Sequence, residues 1–133
     1  MNVVLVDTSA YYALFDATDK NHNKAIAFLK TNIYPLATTS LVVIETLNLV
    51  NARLGHDQAV KIGEKLYDND LTTIISPVQD DERKAWQIFR KYADKQFSMT
   101  DCTTFAVMER LKIKKAFAFD IHFSQYGKFS VLP

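Results

Sequence analysis

With 133 residues, the chain is long enough for one domain with a hydrophobic core, and we expect a single domain over residues 1–133. Its 48% of apolar and 23% of charged residues are ordinary for a globular protein. The formal net charge of +1 excludes a strong overall field, so a nucleic acid would need a local patch or metal ions to be held.

The cysteine content and the N-terminus bear on the compartment. The single cysteine, Cys102, cannot form an internal disulfide, which fits a reducing compartment. The first residues carry no basic segment and reach the acidic Asp7 after a short apolar run, so we expect no signal peptide. No apolar run approaches the ~18 residues that span a bilayer. The sequence therefore predicts a cytoplasmic protein without a membrane partner.

In the first half of the chain, short apolar runs alternate with amphipathic stretches. A β-branched run before Asp7 predicts a buried strand, and a proline-led run predicts another. Ser40 is a favoured N-cap for a long helix that Gly55 would end. The predicted elements are strands at 3–6 and 35–39 and helices at 8–15, 22–31 and 41–54.

The second half continues the alternation. The predicted elements are helices at 57–69, 79–93 and 98–112 and strands at 72–76, 117–119 and 129–132. Strands that alternate with helices predict an α/β domain with a mainly parallel central sheet of four or five strands, flanked by helices in three layers. Ligands of such sheets bind outside the carboxyl ends of the strands, where Asp7 and Asp120 both fall.

Two acidic residues follow predicted strands. Asp7 comes directly after the first strand, and a cap of the next helix is its ordinary explanation. Asp120 comes directly after the strand at 117–119, where an aspartate in a turn would be unremarkable. Neither residue alone specifies a function.

Two more acidic residues lie in predicted helices. Glu45 belongs to a helix that is apolar on nearly every side, which predicts a buried carboxylate that needs a partner or a metal. A buried ion pair or a rim position would also explain it. Asp101 follows Ser98 by three residues, a spacing that a capping box explains and that would also hold the carboxylate in a fixed place.

Taken together, these carboxylates predict a particular chemistry. Several carboxylates at one end of a sheet repel each other unless cations neutralise them. Oxygen ligands without a Cys or His pattern favour Mg²⁺ or Mn²⁺. Such sites commonly serve phosphoryl transfer.

The order of these residues resembles the PIN-domain family over essentially the whole chain. The matching pieces are Asp7-Thr8-Ser9 after a first strand, Glu45 in a helix after a second, Ser98-x-x-Asp101 opening a later helix, and the FAFD segment at 117–120 followed by His122. The chain is most similar to the bacterial and archaeal single-domain members, many of which are VapC-type toxins of toxin–antitoxin pairs.

This resemblance implies a PIN-like fold and a metal-dependent endoribonuclease that uses Mg²⁺ or Mn²⁺. Asp7, Glu45, Asp101 and Asp120 would be the catalytic and metal-binding set, with Thr8 or Ser9 and Ser98 as polar support. The resemblance also implies an RNA substrate, a small antitoxin protein as a partner, and a homodimer.

Other functions fit the sequence less well. A haloacid-dehalogenase-type phosphatase needs a second Asp where Ser9 stands, and a phosphate-binding loop needs clustered glycines, which the chain lacks. A receiver domain needs an N-terminal acidic pair, which is also missing. A catalytically silent PIN-like module that binds RNA or protein remains open, although all four acids are present. A housekeeping RNA-processing nuclease would share the same site as a toxin.

Overall fold

The chain folds around one five-stranded parallel sheet. A computed structural model describes residues 2–68 and 72–133. The strands are β1 (Val4–Val6), β2 (Leu36–Thr39), β3 (Thr73–Ile75), β4 (Lys115–Phe117) and β5 (Ser130–Leu132). The helices are α1 (Thr8–Phe15), α2 (His22–Thr31), α3 (Ser40–Leu54), α4 (His56–Tyr67), α5 (Gln79–Lys91), α6 (Met99–Leu111) and α7 (His122–Tyr126).

The strand order places β1 at the centre of the sheet. The order is β3-β2-β1-β4-β5, and each neighbouring pair is parallel. All carboxyl ends therefore meet at one edge of the sheet, where the loops after β1 and β4 are neighbours. This confirms the predicted α/β class.

Helices cover both faces of the sheet because side chains alternate along each strand. Val4 and Val6 point to a core shared with α1, α2, α3 and α4, whereas Leu5 points to a core shared with α5, α6 and α7. This is the predicted three-layer arrangement. No helix in the described ranges has the length and apolar character to cross a bilayer.

Two predicted elements were wrong at places that matter for the site. The strand predicted at 117–119 is β4, which runs from Lys115 to Phe117, and beyond its end β1 turns into α1 and Phe119 N donates to Ser9 Oγ (3.0 Å). The cap of α3 is Thr39 rather than Ser40, since Thr39 Oγ1 accepts from Val42 N (3.2 Å).

The remaining elements agree with the sequence to within two residues, apart from α7, which was not predicted. Helices 8–15 and 22–31 are confirmed as α1 and α2. Gly55 ends α3 with φ +96°, a conformation that favours glycine. The predicted last residue of the helix at 57–69 lies outside the described residues, and α4 ends at Tyr67.

Candidate functional site

Asp7 is held at the junction of β1 and α1. It is the N-cap of α1 and only 2% exposed, and its Oδ2 accepts from both Ser9 N (3.2 Å) and Ser9 Oγ (2.8 Å). Ser9 Oγ also accepts from Phe119 N, so the start of α1 is joined to the segment after β4. Asp7 thus acts as the predicted cap, and the same bonds fix its carboxylate.

Asp101 is held in the first turn of α6. Ser98 N donates to Asp101 Oδ2 (2.9 Å), and Asp101 N donates to Ser98 Oγ (3.0 Å), which is a capping box. The Asp101 side chain is buried. As at Asp7, the hydrogen bonds that cap the helix also fix the position of the carboxylate.

Asp120 lies between β4 and α7, beside His122 and Asp101. Asp120 Oδ1 accepts from His122 N (3.0 Å). His122 Nδ1 lies 2.7 Å from Asp101 Oδ2 and 3.8 Å from Asp120 Oδ2. One ligand atom from each of these three residues lies within 4.8 Å of the other two, a spacing that one metal ion could bridge.

Glu45 is half-buried, not buried as the apolar composition of its helix predicted. The neighbouring Ile44 is 50% exposed, because α3 packs against α1 and α4 and leaves one strip of its surface uncovered. Glu45 lines a cavity of about 350 Å³. The lining is Asp7, Thr8, Ser9, Tyr12, Asp19, Asn21, Glu45, Leu49, Arg53, Phe119 and Asp120.

The carboxylates interact electrostatically. Burial raises the pKa of Asp7 well above its usual value, and the charges of Asp120 and Asp101 raise it further, while the Ser9 hydroxyl lowers it. Burial also raises the pKa of Asp101, to which the charges of Asp120 and Glu45 add, against the lowering effects of the Ser98 amide and His122. The four predicted acids are therefore neighbours, although they come from four separate segments of the chain.

The polar residues predicted as support have different roles. Ser9 and Ser98 bond directly to a carboxylate, as described above. Thr8 is buried and lines the cavity, and its Oγ1 has no hydrogen-bond partner among the described residues.

Sequence reasoning missed a basic and aromatic wall of the cavity. Arg53 lies over the ring of Tyr12, 5.1 Å from its centroid, and Tyr12 OH donates to Asp16 Oδ2 (2.7 Å). The signal was present, since Arg53 follows Glu45 by eight residues and shares its face of α3. A larger cavity of about 510 Å³ lies beside α1 and α4 and is lined by none of the four predicted acids, so size alone does not identify the site.

The fold and the site define a class of α/β protein with an acidic cluster at the carboxyl ends of a parallel sheet. The sequence model of the PIN domain matches residues 4–129, and the chain belongs to the PIN-domain family.

Similar proteins within this family are VapC ribonucleases. The chain is 32% identical to the 23S rRNA-specific endonuclease VapC20 of Mycobacterium tuberculosis, over 98% of this chain and 99% of that protein. The crystal structure of VapC20, described as a sarcin-ricin loop cleaving toxin, matches with a TM-score of 0.90 over 98% of this chain and 99% of that chain. Ribonuclease VapC26 of the same species is 26% identical, over 98% of this chain and all of that protein.

Proposed function

We propose that this chain is a divalent-metal-dependent endoribonuclease whose site is formed by Asp7, Glu45, Asp101 and Asp120. One observation supports this most strongly: the four carboxylates come from four segments of the chain, the charges of Asp120 and Glu45 act on Asp101, and Asp7, Glu45 and Asp120 line one cavity without a matching number of cations. Among the described residues that line it, Arg53 is the one lysine or arginine. Such a cluster is unfavourable unless a bound cation offsets the repulsion.

The donor atoms fit a divalent metal. Carboxylate oxygens are the ligands that Mg²⁺ and Mn²⁺ prefer. Two buried polar atoms at the site, Thr8 Oγ1 and His122 Nδ1, have no aligned hydrogen-bond partner among the described residues. A bound cation would supply positive charge that neutralises the acids and stabilises negative charge on the phosphate.

The side chains of the chain itself would position the substrate. Ser9 and Ser98 hold Asp7 and Asp101 before the substrate arrives, which lowers the cost of ordering the site. Arg53 also lines the cavity and would contact an RNA phosphate, since a guanidinium donates to phosphate oxygens in a fixed geometry. The contact with Tyr12 holds the guanidinium near this position.

The substrate class we propose is structured RNA, with 23S rRNA as the first candidate because VapC20 is named for it. The purified chain should cut ribosomes or deproteinised ribosomal RNA at one or a few positions when Mg²⁺ or Mn²⁺ is present. Sequencing of new 5′ ends would locate them. Asp101→Asn should abolish the cuts, whereas Asp57→Asn should retain them, because Asp57 is an exposed aspartate in the first turn of α4.

If neither RNA is cut under any metal condition, the endoribonuclease proposal fails. If Asp101→Asn cuts as well as Asp57→Asn, the assignment of the site fails while the activity stands. The two variants change the same residue type in the first turn of a helix, so they separate a role in the site from the loss of a negative charge near a helix N-terminus.

We further propose that the chain is the toxin of a toxin–antitoxin pair and forms a homodimer, as the family resemblance implies. Expression of the chain alone should arrest the growth of a bacterial host, and Asp101→Ala should relieve the arrest. Co-expression of a small antitoxin should restore growth with the wild-type chain. Equal growth with the wild type and Asp101→Ala in the absence of antitoxin would favour a housekeeping nuclease.

The homodimer is tested separately. Sedimentation should report about twice the 15.2 kDa chain mass.

A further inference from the structure

His122 has a ring nitrogen that lies within ion-pair distance of Asp101 but makes no aligned hydrogen bond among the described residues. It is the first residue of α7, and its Nδ1 is buried. Asp101 Oδ2 lies 2.7 Å away but not in a direction that makes a hydrogen bond, and no other partner is present among the described residues. A ring nitrogen and a carboxylate oxygen at this distance either share a proton or bind the same cation, and the poor alignment disfavours the shared proton.

The spacing of the three donor residues matches a metal site. Ligands at about 2.1 Å from one ion and at right angles to each other are about 3 Å apart. His122 Nδ1 is 2.7 Å from Asp101 Oδ2 and 3.8 Å from Asp120 Oδ2, which brackets this value. Small side-chain adjustments would bring the three atoms to equal distances from one ion.

The imidazole is also held in place. The Phe97 ring packs against it in a T-shaped arrangement, at a centroid distance of 5.8 Å and an angle of 77°. The backbone N–H of His122 donates to Asp120 Oδ1, which ties the residue to a neighbouring ligand. The side chain is only 26% exposed, so little conformational entropy remains to be lost when an ion binds.

We infer that His122 is a nitrogen ligand of the divalent cation, together with Asp101 and Asp120, and that the site therefore prefers Mn²⁺ to Mg²⁺. The inference rests on the metal site proposed above and adds a ligand to the four carboxylates. Imidazole suits transition metals, whereas Mg²⁺ favours oxygen ligands and keeps much of its water.

The other two histidines have different surroundings. His22 Nδ1 lies 2.7 Å from the Ala13 carbonyl oxygen, so this nitrogen is already engaged. His56 is exposed at the start of α4, in a different cavity from the acids. His56→Asn is therefore a matched control for His122→Asn, because the two variants remove the same side chain.

The test uses the full, tag-free chain with Mn²⁺ alone and measures electron spin-echo modulation, which detects ¹⁴N bound to Mn²⁺. We expect the ¹⁴N coupling in the wild type and in His56→Asn, and its loss in His122→Asn. Titration should show Mn²⁺ affinity reduced about tenfold or more in His122→Asn, with Mg²⁺ affinity changed less than about threefold. His122→Phe, which keeps a ring against Phe97, should lose the coupling as well.

Three results would overturn the inference. Bound Mn²⁺ without ¹⁴N coupling in the wild type would mean that His122 is only an ion-pair partner of Asp101. Coupling that persists in both His122 variants would assign it to another residue. If the wild type and Asp101→Asn bind Mn²⁺ equally weakly, the metal site of the proposed function fails, and the nitrogen ligand fails with it.

Discussion

Two buried aspartates, one in the acidic cluster and one between α5 and α6, have opposite electrostatic surroundings. Asp7 and Asp81 are each 2% exposed, and each is next to or within the first turn of a helix. Asp81 binds Arg110 through two bonds, Nε to Oδ1 (2.8 Å) and Nη2 to Oδ2 (2.9 Å), and its pKa is lowered mainly by this pairing. The pKa of Asp7 is raised by burial and by other carboxylates.

The charge of Asp81 is matched within the fold, whereas the charge of Asp7 is not, as the proposed metal site would require. Asp81 also accepts from Val78 N (2.9 Å), so its charge is matched and its oxygens are satisfied. Asp7 is bonded to Ser9, a neutral partner, and faces negative charge. Strong perturbation by burial and like charge is typical of functional sites.

The largest expected contrast is in activity. Asp7→Asn should reduce the RNA cleavage rate by about 10³-fold or more, because a loss of charge at a reacting centre commonly costs this much. Asp81→Asn, measured below its melting temperature, should stay within about threefold of the wild type. Single-turnover cleavage with saturating Mn²⁺ measures both rates. Equal losses in the two variants would remove the functional distinction between the two aspartates.

The second largest expected effect is a loss of stability when the ion pair between α5 and α6 is removed. Asp81→Asn should lower the free energy of unfolding by about 2 kcal/mol, because Arg110 loses its charged partner. The exposure of Arg110, 37%, keeps the loss below that of a fully buried pair. Urea unfolding measures the change. Arg110→Met in the Asp81→Asn background should recover part of it, and a double variant less stable than the single one would contradict this explanation.

A smaller change of opposite sign is expected at Asp7. In EDTA, Asp7→Asn should raise the free energy of unfolding by about 1 kcal/mol, which corresponds to a melting temperature about 4 °C higher. Asparagine remains a good N-cap, so the bond from Ser9 N can be kept. With Mn²⁺ in excess, the wild type should gain stability and the variant should gain less. Scanning calorimetry measures the melting temperatures of the wild type and the variant in EDTA and in Mn²⁺. A variant that is less stable than the wild type in EDTA would contradict the repulsion argument.

The pH dependence of stability should also differ between the two aspartates. Because the folded-state pKa of Asp7 is raised, its contribution to stability is fully present below the ordinary value of 3.8 and is lost as pH rises through the folded pKa. The folded-state pKa of Asp81 is lowered. The contribution of Asp81 to stability is therefore present above 3.8 and is lost as pH falls through the folded pKa. In EDTA, the stability gain of Asp7→Asn over the wild type should therefore grow as pH rises above about 4 and through the folded-state pKa of Asp7. A gain that is constant with pH would show that charge is not its cause.

The fold was largely predictable because its signals are local. Apolar runs and amphipathic stretches gave the alternation of strands and helices, and the parallel sheet follows from that order. The end of β4 was not predictable, since the FAF segment reads as a strand through Phe119. The tertiary hydrogen bond from Phe119 N to Ser9 Oγ shows that Phe119 no longer pairs with a neighbouring strand.

The sequence predicted that the four acids would be neighbours, but it did not predict the geometry around them. Family resemblance marked Asp7, Glu45, Asp101 and Asp120, and the chain brings them together. The place of His122 depends on α7, a helix of five residues that was too short for its pattern to be recognised. Glu45 was expected to be buried because composition does not show which side of α3 lacks a neighbour.

The central claim, that the unpaired carboxylates serve metal-dependent RNA cleavage, is tested most directly by the chemistry of the RNA ends. When water attacks phosphorus and the 3′ oxygen leaves with a proton, the products carry a 5′-phosphate and a 3′-hydroxyl. A metal-free ribonuclease uses the 2′-hydroxyl instead and leaves a 2′,3′-cyclic phosphate. We predict 5′-phosphate ends that form with Mg²⁺ or Mn²⁺ and disappear in EDTA. Cleavage that persists in EDTA and leaves cyclic phosphates, from a preparation free of other nucleases, would contradict the claim.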